Sequence, residues 1–378
     1  MSENILQQEG QPKNILEDVI SAQMEAERDD FDPQRTVSLL LSDLPIRAVN
    51  IVTDRFGLAG KDKKTLEELG KMYNITRERV RQIESNSVQH FRSNQKTEAI
   101  EPAKKLISSV LYEHGEIMEE QHLIDEMLGD ERDTKANRNI LMFLLGFIND
   151  FTQIKPSREI RPAWSLKGVS TDRAVGVIDH VKGVFVELEK PMTEDEITKL
   201  LEEDENLHRK VPNKNEKALF SFLGISKVVS RNPFGQWGLA EWSEIVPKGV
   251  RDKAHLVIRS EEKPLHFSKI TDMINKTEFD GRVAHPQTVH NELIKDQRFV
   301  LVGRGIYALK EWGYNEGTVS DILEEILKKS EAPISRENLI EKVMEQRMVK
   351  RNTVIIGLQD KSKFKKIQGD KYVLNEDA

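Results

Sequence analysis

Four polar residues within six positions, Arg77, Glu78, Arg81 and Gln82, carry the most ligand-specific chemistry in the chain. An arginine fork can bind guanine in bidentate fashion, a glutamine can pair with adenine, and a glutamate can accept from cytosine. Their spacing puts all four on one side of a helix, because residues three and four apart are neighbours on its surface. Val80, Ile83, Val88 and Phe91 recur near helical spacing on the opposite side and must point inward. Arg79 beside them, and Lys63 and Lys64 ahead of them, offer positive charge suited to phosphates rather than to base edges. The combination points to an element that reads the groove of double-stranded DNA. The plainer alternative is an amphipathic helix with a solvated charged face.

The flanking residues specify how such a helix is held. Thr65 and Glu68 form a capping-box pattern that opens a first helix, Leu66 to about Met72. Tyr73-Asn74-Ile75 makes a short turn in which Asn74 tolerates the left-handed conformation. Thr76 caps a second helix that begins at Arg77. Two helices joined this way form a helix-turn-helix, and the first turns of its second helix are the part that enters the major groove.

The wording of the segment narrows this further. RFGLAG (55–60), TLEELG (65–70) and TRERVRQIE (76–84) resemble the fourth conserved region of primary-type bacterial sigma factors. The resemblance spans residues 38–95. It implies that the segment binds the upstream (−35) promoter element and that the preceding helix, at 38–58, presents a surface to RNA polymerase. By position, Arg77, Glu78, Arg81 and Gln82 match base-contacting residues and Arg79 a residue near the DNA backbone. Arg55 and Phe56 match the end of the preceding helix. Two departures stand out. LPIRAV (44–49) replaces a stretch that the family fills with arginine and glutamate. Nothing elsewhere resembles the sigma region whose aromatic helices capture melted promoter DNA, so a reader of duplex is implied rather than an opener of strands.

Length and composition bound the remainder. At 378 residues the chain exceeds one small domain, and only 6% of it is aromatic, which suggests several small cores. The absence of cysteine excludes disulfides and thiolate metal sites. No run is long enough to cross a bilayer, and no signal-peptide pattern opens the chain, so a cytoplasmic, nucleoid-associated protein without a membrane partner is expected. The net charge of −7 is unevenly spread: residues 35–96 hold twelve Lys and Arg against seven Asp and Glu. Phosphate binding depends on such local charge. No nucleotide-binding glycine loop, HExxH or nucleophile elbow occurs, and AVGVID (174–179) is a lone glycine in an apolar stretch. The nine histidines are scattered. An enzyme, a small-molecule substrate, a cofactor or a resident metal is therefore not expected.

Beyond residue 97 a structural phrase repeats. Each copy ends in an aromatic residue, one residue more, then leucine: Trp164/Leu166, Trp237/Leu239, Tyr307/Leu309 and Tyr372/Leu374. Short apolar strands precede them at 151–154, 227–229, 299–302 and 364–367, and Pro191, Pro264 and Pro333 stand ahead of helix starts. Helices followed by a two-stranded hairpin are the layout of a winged helix. The expected class is mainly α: an acidic leader (1–34), the helix-turn-helix (35–97), and a tandem array of winged helices with small β-hairpin wings at 98–168, 169–245, 246–314 and 315–378. Residues 251–314 resemble the HARE-type winged helix, a family found in chromatin-associated proteins, restriction systems and the delta subunit of bacterial RNA polymerase.

Two of these copies hold secondary candidates for DNA contact. In TVHNELIKD (288–296) and just before it, Gln287, His290 and Asn291 could reach DNA, or His290 and Asn291 could serve packing and capping. In the last copy Lys350, Arg351, Lys363 and Lys365 suit phosphates, or form a solvated surface balanced by Glu337, Glu341 and Glu345. The whole reads as a promoter-directed, DNA-binding transcription protein whose partners are duplex DNA and the core of bacterial RNA polymerase. The alternatives are a delta-like polymerase accessory subunit and a nucleoid-architectural protein without sequence preference.

Overall fold

The computed structural model describes residues 26–93, 97–277, 279–314, 317–330, 332–346 and 349–375. They fall into two compact units, one holding the residues up to 190 together with 194–230, the other holding 191–193 and 231 onward. The chain is mainly helical with small antiparallel sheets. Of the acidic leader expected at 1–34, residues 1–25 lie outside the described residues; residues 26–30 are helical (α1).

In the first unit, α2 (Pro33–Leu41) starts on Asp32, whose carboxylate accepts from the N–H groups of Gln34 and Arg35. The single helix expected over 38–58 is two, because Pro45 follows the turn after Leu41 and cannot donate into a continuous backbone ladder. α3 (Ile46–Phe56) then runs to Gly57, whose φ of 68° ends it. α4 (Leu66–Met72) and α5 (Arg77–Ser93) complete the helix-turn-helix at the boundaries its capping residues specify.

Residues 97–166 follow as α6 (Thr97–Glu113), β1 (Ile117–Glu119), α7 (Glu120–Arg132), α8 (Lys135–Phe147), β2 (Phe151–Ile154) and β3 (Ala163–Leu166). The sheet order is β1-β3-β2, all antiparallel. Trp164 lies on the central strand, 4% exposed, and sends its indole N–H to Glu120 at 3.0 Å. This module and the helix-turn-helix share one core, in which Val37, Leu40, Val52, Leu58 and Phe91 pack with Leu106, Leu141, Phe143 and Phe147. Phe143 sets its ring 4.7 Å from Phe56 and 6.0 Å from Phe91. Polar ties reinforce the joint: Asn139 donates to the Gly57 carbonyl and Arg92 to that of Phe147. The unit continues through α9 (Asp172–Leu188), α10 (Glu194–Glu203), α11 (Glu205–Lys210) and α12 (Glu216–Gly224), after which the chain forms β4 (Val229–Arg231) and β5 (Trp237–Leu239).

The second unit repeats the same phrase twice. α13 (Val250–Glu261), β6 (Leu265–His266), α14 (Phe267–Thr277), α15 (Pro286–Lys295), β7 (Phe299–Gly303) and β8 (Ile306–Leu309) form one copy, with sheet order β6-β8-β7. α16 (Val319–Lys328), β9 (Ile334–Ser335), α17 (Arg336–Gln346), α18 (Arg351–Gly357), β10 (Phe364–Ile367) and β11 (Lys371–Leu374) form the next, with order β10-β11-β9. Tyr307 and Tyr372 occupy the central strands, as Trp164 does. The prolines at 264 and 333 precede a two-residue edge strand rather than a helix directly. A residue without an N–H is tolerated there because it stands just outside the ladder. Met192, after Pro191, pairs likewise with Trp237, exchanging both backbone hydrogen bonds at 2.9 and 2.8 Å.

The shared core makes a direct prediction. Phe143→Ala should cost about 3–5 kcal/mol through lost contacts and a residual cavity. Hydrogen-exchange mass spectrometry should show protection falling in α3 and α5 as well as in α8. Loss confined to α8 would contradict a common core.

Candidate nucleic-acid interface

The helix-turn-helix is closed by a small core of Ile51, Leu69 and Val80, each with no exposed surface, against which Leu66, Tyr73, Ile75 and Ile83 pack. Thr65 accepts from the Glu68 N–H while the Glu68 carboxylate accepts from the Thr65 N–H at 2.7 Å, so the capping box is complete. Asn74 has φ 51°, in the left-handed region the turn requires. The Thr76 hydroxyl accepts from the Arg79 N–H at 3.1 Å and caps α5. Gly70 is the residue that lets the turn close. Its carbonyl accepts from the Ile75 N–H at 2.9 Å, and a Cβ there would lie 2.9 Å from the Ile75 oxygen and 3.4 Å from the Arg77 nitrogen.

Polar pairs between helices, too far apart in sequence for spacing rules to find, lock α5 in place. Arg55 donates to Glu84 at 3.2 Å and to the Lys64 carbonyl at 3.0 Å. The Tyr73 hydroxyl donates to Asp54 at 2.9 Å, and Lys64 pairs with the same carboxylate at 3.3 Å. Burial and the Asp54 carboxylate together raise the Tyr73 hydroxyl above its ordinary range, so it stays a donor.

This frame presents one exposed strip. Arg77, Glu78, Arg79, Arg81 and Gln82 are all exposed, and Ser85, Asn86 and Gln89 continue the strip by further helical steps. Glu78 and Arg81 face each other as an ion pair: the Arg81 Nε lies 3.1 and 2.9 Å from the two carboxylate oxygens and Nη2 2.6 Å from one. The hydrogen bond from Arg81 holds the Glu78 carboxyl below its ordinary range. The pair uses the Nε–Nη2 side of a guanidinium with five donors, so its Nη1–Nη2 end remains able to meet a guanine edge. Arg79 donates to the Gln82 side-chain carbonyl at 3.1 Å, which leaves the amide N–H groups and the oxygen's second lone pair uncommitted by that bond. The two lysines differ. Lys63 is exposed, whereas Lys64 is half-buried against Asp54 and serves the frame as well as the surface.

α2 packs against α6 and α8, and α3 against α4, α5 and α8; Leu39 and Ile46 are the exposed large hydrophobic residues of the two helices. α8, third helix of the following module, is likewise engaged with the helix-turn-helix: Asn139 and Arg92 bridge the two, and Lys135 pairs with Asp62.

The secondary candidates are held more by neighbours than spacing suggested. His290 is half-buried with its ring 4.6 Å from that of Phe267 and 5.8 Å from Tyr307. Gln287 and Asn291 are exposed and joined by a hydrogen bond of 3.2 Å. Arg351 pairs with Glu337, and Lys363 with Glu324 at 3.1 Å and Asp321 at 3.4 Å. Lys350 and Lys365 are exposed. Among the described residues no helix is long and apolar enough to cross a membrane.

Replacing each lysine separates surface charge from framework. Lys63→Ala should weaken duplex binding equally for all sequences and leave the thermal midpoint unchanged. Lys64→Ala should weaken binding and also lower the midpoint, because Asp54 loses a partner. Equal effects of the two on stability would refute the distinction.

The geometry agrees with what comparison finds. Residues 40–93 match the family model of sigma-70, region 4. The RNA polymerase sigma factor RpoD of two strains of Helicobacter pylori is 44% identical over 69 residues, which is 18% of this chain and 10% of the relative. The RNA polymerase sigma-C factor of a Nostoc species is 44% identical over 59 residues, 16% of this chain and 14% of the relative. The likeness thus covers a small part of either protein, and within it residues 40–93 are a sigma region 4-like helix-turn-helix.

Proposed function

We propose that this chain is a DNA-binding transcription protein that reads −35-type promoter duplex through α5 and engages the core of bacterial RNA polymerase. The observation that carries this reading is the exposed strip of Arg77, Glu78, Arg81 and Gln82 on a capped, rigidly braced helix within a segment similar to sigma region 4. Arg77, Arg81 and Gln82 address base edges, with Glu78 as an acceptor for cytosine and as the brace of Arg81. Arg79 and Lys63 address phosphates, with Lys64 contributing part of its charge; Thr65 and Thr76 hold the helix ends from which these side chains project. On this reading the protein binds duplex and positions polymerase, and it is not an enzyme.

The helix–strand–helix–helix–hairpin modules at 97–166, 250–309 and 319–374 are, in this proposal, winged helices, with 169–245 a further copy and 246–314 of HARE type. The first module is a platform, since its third helix is spent on the helix-turn-helix. Gln287 and Asn291 remain the better candidates for a second DNA contact than His290, whose ring is stacked between aromatic neighbours. The basic cluster at 350–365 is weakened as a phosphate site by its own acidic partners.

Fluorescence anisotropy with a −35-like duplex and a scrambled duplex at physiological salt tests the reading. The wild type should prefer the −35-like duplex, and Arg81→Ala should lose about 1–3 kcal/mol of that preference, or roughly five- to 150-fold in affinity. Equal affinity for both duplexes sinks sequence-specific reading. Co-purification with core polymerase after DNase treatment, without any duplex preference, would instead favour the accessory-subunit reading.

A further inference from the structure

The first module contains a group of donors that the proposed DNA interface does not use. His114 stands immediately after α6, and His122 and Glu126 stand one helical turn apart on α7. Their ligand atoms all lie within 4.8 Å of one another. We propose that His114, His122 and Glu126 bind a divalent transition-metal ion, with zinc the best-fitting class, independently of DNA reading.

The ring nitrogens are already sorted for that task. His114 places Nδ1 2.8 Å from the Val110 carbonyl oxygen. A carbonyl cannot donate, so Nδ1 carries the proton and Nε2 carries the lone pair. His114 is buried, 3% exposed. Metal-binding histidines characteristically use their other nitrogen on a backbone carbonyl in this way.

Glu126 is divided in the same manner. Its Oε2 accepts from Arg28 at 2.8 Å, while Oε1 lies 3.9 Å from the His122 Nε2. One oxygen is thereby anchored by an outer partner and the other stands beside the His122 imidazole. Arg28 also pairs with Glu113 at 2.9 Å, so its charge is shared between two carboxylates.

Donors in a tetrahedral zinc site sit about 3.3 Å apart, given bonds of about 2.0–2.1 Å. Only a small closure is needed, and His122 and Glu126, with side chains 37% and 30% exposed, have room to make it. Two imidazoles with one carboxylate suit zinc or nickel, whereas calcium and magnesium require more oxygen donors. A bound ion would staple the end of α6 to α7, inside the module whose core the helix-turn-helix shares.

Untagged full-length protein should be titrated with zinc by calorimetry, and with cobalt(II) as a probe of coordination by visible absorption. The wild type should take up one equivalent and show a raised thermal midpoint with zinc. His122→Ala should keep the metal-free midpoint, Glu126→Gln should lower it slightly by neutralising the partner of Arg28, and each should bind zinc about tenfold more weakly or worse. Absence of uptake by the wild type, or wild-type affinity in either variant, would overturn the assignment.

Discussion

Phe143 lies against Phe56, Phe91 and Phe147 at centroid distances of 4.7 to 6.0 Å, and the presentation of α5 depends on that aromatic contact. A helix-turn-helix of this size buries little on its own: only Ile51, Leu69 and Val80 fill its inner core completely. Burial of apolar surface is what stabilises a fold, and a domain of some sixty residues is marginal by that measure. Here α2 packs on α6 and α8, and α3 reaches α8 as well as α4 and α5. α5 therefore rests on the larger core of the module behind it.

That arrangement assigns different work to like elements. In the first module α8 is committed to packing, and its polar residues bond to the helix-turn-helix. In the second unit α15 keeps Gln287 and Asn291 at the surface while His290 joins an aromatic stack. The same order of helices and strands thus supports a platform in one place and an available surface in another. Which face is free follows from what packs on it, and the order of elements does not specify that.

The strip on α5 is preorganised rather than bare. Glu78 orients Arg81, and Arg79 holds the carbonyl of Gln82. Such exposed pairs contribute little to stability. Their consequence is geometric: each long side chain is held near the helix surface with part of its hydrogen-bonding capacity unspent. Exchange of one such bond for a base edge changes partners without first ordering a disordered chain, which lowers the entropic cost of binding.

Sequence by itself determined whatever depends on residues within about four positions of one another. The capping box at Thr65 and Glu68, the left-handed Asn74, the start of α5 at Arg77 and its polar strip follow from such local rules, and the structure has them where the residues place them. The recurring aromatic residue and leucine were legible too, because a period of about seventy residues survives divergence, although not that Trp164, Tyr307 and Tyr372 sit on central strands. The split at Pro45 follows from a local rule, the missing backbone N–H, whereas tertiary structure alone decided that Lys64 shares Asp54 with Tyr73 and that His114, His122 and Glu126 converge. The same holds for Phe143 against Phe56, which lie in different modules. Periodicity specifies which face of a helix is apolar, but not which other face will cover it. That choice is made only when distant segments compete to bury the same surface.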